Sequence, residues 1–425
     1  MGNSKFSLSL YVHVPFCVDK CLYCNFFSVP KHLVSEQVQE AVVEQTIEQA
    51  RFFQDLLGYE GAPRTIFMGG GTPSTLTQSN LQRLLAGIRN VTFKRAAMDT
   101  MGNEAIKGVE CEEWTVEANP ESIDQFFLDT CNSAGVTRIS AGVQSTNDER
   151  LRILHRTAGR ADILRAAELL RAGWGRDLNL DFIAGIPGEK PTDIVSDLTL
   201  LDDLPATHVS LYALTYEPDT PLERLVQTGE VRANSQEKDE ELWFAGVEEL
   251  QRRGFRQYEV SNFCLPRKEC QHNLSYWRLG PYLGVGPSAV STLPAKPLAR
   301  ALGHPDLAAT SEVIRMTTPK DIHDFLGGRR NLWGAQFETV QPKDFLFETL
   351  MMGLRLQEGI ISDDFRARFG AGFEDLFPDL WDSWVSRGMA MPGSERLALS
   401  DSGRMMLDGL LATLPTTRPP SVSWP

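Results

Sequence analysis

The 425-residue chain is poor in cysteine and in histidine, with seven of each. Seven thiols in so long a chain cannot form the disulfide scaffold that staples small secreted domains. Basic residues are in deficit, 42 against 56 acidic ones, and the resulting net charge of −14 repels phosphate backbones, which excludes general nucleic-acid binding. No apolar run approaches the roughly 18 residues that a membrane span needs. The opening Met1-Gly2-Asn3-Ser4-Lys5-Phe6 misses a myristoylation pattern because Phe6 stands where Ser or Thr is required, and no signal-peptide apolar segment follows. The expectation is a globular protein of the cytoplasm, or of the mitochondrion if its source is eukaryotic.

What is present is a rhythm. Six short β-branched or aromatic runs, 8–14, 64–68, 114–118, 137–143, 178–183 and 208–213, read as buried strands. Between most of them lie amphipathic stretches, 35–57, 77–89, 122–133, 148–172 and 192–204, with helical spacing. Strand alternating with helix implies parallel strands joined by crossover helices. The unusual residues fall after the strands, at Gly69-Gly70-Gly71-Thr72-Pro73, Glu117-Ala118-Asn119-Pro120, Gly142-Val143-Gln144-Ser145, 181–187 and 212–218. Ligand-bearing strand ends all around the sheet favour a barrel over a doubly wound sheet, and six strands favour a partial one. The fold class expected is therefore α/β, a partial (β/α)6 barrel over 1–225.

After residue 225 the rhythm changes. A helical stretch at 236–253, a Gly/Pro-rich stretch at 281–287 and a polar connector at 295–319 make an accessory region over 226–320. Residues 343–414 have helical spacing with a short sheet-like piece at 389–399, a winged-helix-like module within 321–415. The Pro/Thr/Ser-rich tail 416–425 is expected to be disordered. The stretch 97–113 interrupts the barrel rhythm and reads as a surface insertion.

Chemistry concentrates in Phe16-Cys17-Val18-Asp19-Lys20-Cys21-Leu22-Tyr23-Cys24-Asn25-Phe26, directly after the first strand. Ferredoxin-type clusters take four cysteines and structural zinc takes four ligands. Three thiolates with no nearby fourth therefore leave one coordination position open on a [4Fe-4S] cluster. A zinc site completed by His13 or His32 is the alternative. The remaining cysteines, Cys111, Cys131, Cys264 and Cys270, are scattered, and as free thiols they would ordinarily pack as small apolar groups.

The run Tyr11-x-His13-x-Pro15-Phe16-Cys17-x3-Cys21-x2-Cys24 resembles the radical S-adenosylmethionine signature as it occurs in the HemN/HemW group. The resemblance continues in order through Gly69 to Ser74, Glu117-x-Asn119-Pro120, Gly142 to Asp148, Asp181 to Gly188 and His272-Asn273-x2-Tyr276-Trp277. It implies that the open iron chelates S-adenosylmethionine, whose sulfonium bond is cleaved by an electron from the cluster. Implied cofactor contacts are Tyr11 beside the cluster, Phe26 at the adenine, Gly70, Gly71 and Thr72 at the methionine moiety, and Glu117 at an amine or ribose hydroxyls. Gln144, Arg156 and Asp181 are similar to positions that contact the nucleoside or a second S-adenosylmethionine.

Within the group, the decarboxylase branch carries a further cysteine two places beyond the third, where this chain has Phe26, and a histidine where it has Ala158. The HNxxYW run at 272–277 resembles the HemW branch, regarded as haem chaperones, and implies haem ligation by His272, with Cys264 or Cys270 as other candidate ligands. The expected function is haem binding and delivery to apo-haemoproteins, with an electron donor and a second copy of the chain as further partners. The alternative is oxygen-independent coproporphyrinogen III dehydrogenation.

Overall fold

The computed structural model describes residues 8–58, 62–98, 111–304, 308 and 311–424. Six parallel strands, β1 (Ser9–Val14), β2 (Thr65–Gly70), β3 (Glu113–Ala118), β4 (Arg138–Gln144), β5 (Asp177–Ala184) and β6 (His208–Ala213), lie side by side in chain order. Helices α1 (Glu36–Leu56), α2 (Gln78–Met98), α3 (Gln125–Ala134), α4 (Asp148–Ile153), α5 (Arg160–Gly173) and α6 (Pro191–Asp197) make the crossovers, and α7 (Pro221–Gln227) and α8 (Gln236–Arg252) follow β6. This is the expected partial (β/α)6 barrel. Residues such as Val12, Ile66, Val116, Ile139, Leu180 and Val209 are fully buried under the helices, whose apolar stripes close the same core.

One expected helix, 148–172, is two. Helix α4 stops at Ile153, His155 takes a left-handed φ of 55°, and α5 restarts after Gly159. The break turns the intervening Arg156 toward the barrel interior, where it bonds the Gly142 carbonyl. Helical periodicity alone carries no signal for such a kink.

The accessory region is no separate layer. Strands β7 (Arg256–Gln257) and β8 (Asn262–Cys264) extend the sheet beyond β6. On the other side, β9 (Tyr282–Val285) runs parallel to β1, followed by antiparallel β10 (Val290–Pro294), β11 (Val313–Thr317) and β12 (Gln336–Val340), giving twelve strands in one sheet. The Gly/Pro-rich 281–287 is therefore largely strand. Its glycines serve close approach, since a Cβ on Gly286 would overlap the His13 carbonyl. The connector 295–319 contains a helix, Ala295–Leu302, and β11.

A second core, built on Phe345, Phe365, Phe369, Phe373, Trp381 and Trp384, gathers the helices after residue 341 around a two-stranded ladder of 360–361 with 396–397. The tail expected to be disordered packs on this core. Trp424 stacks edge-on against Phe345 and donates its indole N–H to the Leu279 carbonyl at 2.8 Å, so an aromatic at the end of a Pro-rich stretch outweighs its composition. Most of the insertion at 97–113 lies outside the described residues. No described helix is long and apolar enough to cross a membrane.

Candidate functional site

The cysteine loop follows β1 and is tied down on several sides. Val29 donates to the Pro15 carbonyl (2.8 Å), Leu22 to Leu154 (3.2 Å) and Leu222 to Leu22 (3.0 Å). The Asn25 amide donates to Glu217 (3.2 Å), and His155 meets Asp19 at 3.2 Å. Half-buried Cys17, Cys21 and Cys24 face a cavity of ≈ 430 Å³ that descends into the barrel. Burial raises the Cys24 thiol to about 11 and raises Cys17 also, so these two thiols hold their protons until a cation replaces them.

Among the described residues no three His, Cys, Asp or Glu side chains converge as one metal ion would require. His13 is no zinc ligand either. Its Nε2–H donates to the Phe27 carbonyl (2.9 Å), and its Nδ1 accepts from the Tyr11 hydroxyl (3.0 Å). His32 lies on a separate turn, Lys31–Leu33, and does not line the cavity.

Beside the cysteines, β2 ends in the glycine run. Gly70 has φ 93°, and an added Cβ would overlap the His13 ring; one on Gly71 would meet the Phe16 carbonyl at 2.6 Å. The absence of side chains brings the backbone to the cavity wall. Thr72 Oγ1 stands 3.6 Å from Cys17 Sγ and accepts from the Asn119 amide at 3.3 Å. Arg156 reaches Cys21 Sγ at 3.5 Å with Nη1 and donates with Nη2 to Asn119 Oδ1 (2.9 Å) and the Gly142 carbonyl (2.7 Å). Its Nε has no partner among the described residues.

Two half-buried carboxylates face the cavity lower down. Glu117 accepts from the Gly70 N–H at 3.2 Å, and burial plus repulsion from Asp181 raises its carboxyl to about 8. Burial also raises Asp181, against bonds from Asn179 (2.8 Å) and Ser140 (3.2 Å) that favour its charge. Such a pair suits a ligand that brings positive charge and hydroxyls. Gln144, held at φ 66° at a bulge against β5, lines the upper wall.

Of the residues expected from sequence, the three cysteines, Phe26, Gly70, Gly71, Thr72, Glu117, Gln144, Arg156 and Asp181 all line this one cavity. Tyr11 does not. It is wedged beneath Gly70 against His13 and Phe67, a support rather than a contact. His272 is displaced altogether. It is fully buried on α9 (Gln271–Trp277), below the strand N-terminal ends, and both ring nitrogens are engaged, Nδ1 with Thr65 Oγ1 (2.8 Å) and Nε2 with the Tyr276 hydroxyl (2.9 Å). Thr65 in turn donates to Ser9 (2.9 Å), so Nδ1 is the donor and Nε2 the acceptor. No nitrogen lone pair is left for iron, and burial holds the ring neutral, with its pKa lowered to about 3. In this structure His272 is thus a structural plug beneath the sheet, turned away from the cavity. Cys264 is buried in β8, and Cys270 bonds Glu113 at 3.1 Å, so neither is an open ligand.

The cavity's lower wall, Thr115, Arg138, Ser140, Asn179, His208 and Ser210, belongs to none of the motifs that mark the upper part. Their signal is an alternation of polar residues along otherwise apolar strands, Thr115-x-Glu117, Arg138-x-Ser140, Asn179-x-Asp181 and His208-x-Ser210. With period two, these face one side of each strand, so the barrel interior is polar instead of packed with branched apolar groups.

Residues 11–201 match the model of the radical SAM superfamily, and residues 340–406 that of the HemN C-terminal domain. Heme chaperone HemW of Escherichia coli (strain K12) is 32% identical over 95% of this chain and 97% of its own. The mouse protein named radical S-adenosyl methionine domain-containing protein 1, mitochondrial, is 30% identical over 96% of this chain and 87% of its own. Among solved structures, coproporphyrinogen III oxidase (HemN) from Escherichia coli superposes with a TM-score of 0.73 at 18% identity, covering 96% of this chain and 89% of that one, a likeness of fold.

Proposed function

Since the chain belongs to the HemW family of radical S-adenosylmethionine proteins, we propose that it is a haem chaperone that binds a [4Fe-4S] cluster, S-adenosylmethionine and haem, and delivers haem to apo-haemoproteins. The observation that carries the cofactor part is the convergence of Cys17, Cys21 and Cys24 with the Gly70–Thr72 backbone, Glu117 and Arg156 on one cavity. A bound cluster would supply an open iron and an electron. Cys17, Cys21 and Cys24 would hold it, and Arg156 beside Cys21 would offset the charge of the thiolates. The exposed backbone at Gly70 and Gly71 would receive the methionine end of S-adenosylmethionine, and Glu117 would draw its cationic groups. Phe26, 64% exposed at the mouth, occupies the place of the decarboxylase branch's additional cysteine, which supports haem handling over porphyrin oxidation. Haem would enter from the mouth, because His272 and Cys264 lie away from the cavity and Cys270 is spent on Glu113.

In this reading S-adenosylmethionine binding acts as a switch, or as a cue for pairing with a second copy, and a reducing compartment supplies the electron donor. The test is anaerobic cluster reconstitution followed by paramagnetic resonance of the reduced protein with and without S-adenosylmethionine, and then haem titration. A spectral shift on adding S-adenosylmethionine together with saturable haem binding is expected. An unshifted spectrum removes the open iron. Turnover of coproporphyrinogen III with deoxyadenosine release, without haem binding, would replace the chaperone with the dehydrogenase.

A further inference from the structure

The cavity does not end at the cofactor-facing residues. Strand β4 runs from Gln144 at the mouth to Arg138 at the floor, six residue steps or about 20 Å of extended chain. A molecule chelated at the cysteine loop leaves that depth to something else. Thr115 and Arg138 are register partners on adjacent strands, so their side chains are neighbours on the inner face.

Beneath them α9 closes the barrel. The Glu113 carboxylate accepts from the Gln271 and His272 N–H groups and from the Cys270 thiol, each at 3.1 Å, and from Arg138 Nε at 3.2 Å. Arg138 Nη2 donates to the Lys268 carbonyl at 3.1 Å. These contacts place Asn273, the next residue of α9, at the cavity floor.

Three polar groups are left over there. Arg138 is 3% exposed and Thr115 0%, yet Arg138 Nη1 and Thr115 Oγ1 have no hydrogen-bond partner among the described residues. The half-buried Asn273 amide also lacks one among them. A buried donor left unsatisfied costs roughly 1–3 kcal/mol, more when charged, so these groups mark a place for an acceptor. The other polar groups nearby are already paired. Asn179 bonds Ser140 (2.7 Å) and Ser210 (3.1 Å), and His208 spans Asn179 (2.7 Å) and the Tyr258 hydroxyl (2.9 Å).

We propose that the barrel floor is a binding subsite for a small carboxylate, received by Arg138 Nη1, Thr115 Oγ1 and the Asn273 amide. The guanidinium edge turned from Glu113 supplies charge and a planar donor. The hydroxyl and the amide supply the remaining donors, and Phe67 offers an apolar wall for a short stem. Glu113 neutralises only the opposite edge of Arg138, and its own charge is spread over four donors. Glu117 and Asp181 lie nearer the mouth, so the subsite favours a singly charged acid over a phosphate. It goes beyond the chaperone reading and stands whether or not haem binds.

The test uses the full chain, reconstituted anaerobically, with propionate as probe and saturation-transfer NMR as readout, with and without saturating S-adenosylmethionine. Saturable propionate binding that persists with S-adenosylmethionine is expected. Propionamide, which lacks the charge, should bind about tenfold more weakly, and so should propionate to Thr115→Val and Asn273→Leu, a loss of about 1.4 kcal/mol. Both substitutions keep the number of side-chain heavy atoms, whereas Arg138→Gln would strand Glu113. No saturable signal in a protein with an intact thermal melt overturns the subsite. So does competition by S-adenosylmethionine, or equal affinity of propionamide, or unchanged binding in both variants.

Discussion

At Gly70 the chain turns through φ 93° with the His13 ring where a Cβ would go and the Tyr11 hydroxyl 2.8 Å from that point. Gly70→Ala is expected to destabilise the fold by about 1–3 kcal/mol and to weaken S-adenosylmethionine binding. Urea unfolding and a binding titration read the two effects separately. The titrating groups predict a pH profile with opposing parts. His13 and His272 are lowered from 6.5 to about 4 and about 3, so only the unfolded chain takes up their protons as pH falls below 6.5. Their contribution is complete above pH 6.5 and is lost on acidification, by up to about 1.4 kcal/mol per pH unit for each. Glu117 acts in the reverse sense. It is neutral in the fold up to about 8 but ionises near 4.5 when unfolded, so its contribution is complete below 4.5 and is lost as pH rises to 8. Urea midpoints measured from pH 4 to 9 should fall less steeply on the alkaline side in Glu117→Gln. S-adenosylmethionine affinity should rise with pH towards 8 in the wild type and lose that rise in the variant.

Helix α9 behaves as a stopper held by one carboxylate. Glu113→Gln keeps the shape but leaves Arg138, of which only 4% of the side chain is exposed, without its counter-charge. Removing one partner of a buried pair costs about 3–5 kcal/mol, and guanidinium denaturation should register that loss. His272→Ala strands the Tyr276 hydroxyl, worth about 1–3 kcal/mol, and takes a donor from Thr65, which keeps its own bond to Ser9. The expected outcome is a lower unfolding midpoint with an unchanged haem titration. Loss of haem binding at undiminished stability would restore the ligand role that burial takes from this histidine.

For the whole molecule, the continuous sheet makes barrel and accessory strands one mechanical unit, while the second core leans on it through Leu279 and Trp424. Removing residues 415–425 should loosen the second core, seen as faster proteolysis after residue 341, and leave cluster loading intact, seen as unchanged iron content. The sequence by itself determined the six parallel strands, the cysteine loop and most of the cavity wall, because strand alternation, glycine runs and thiol spacing are local patterns. It also carried the polar alternation of Thr115, Arg138, Asn179 and His208, which becomes a signal once the barrel is known. Tertiary structure alone decided the rest. It assigned His272 to the floor, because a motif's spacing does not say which end of a barrel it plugs. It turned Arg156 inward at a helix break, joined 281–340 to the sheet through long-range pairing, and seated Trp424 on Phe345. Each of these depends on partners far away in the chain, and the energy of such contacts exists only when the fold has brought them together.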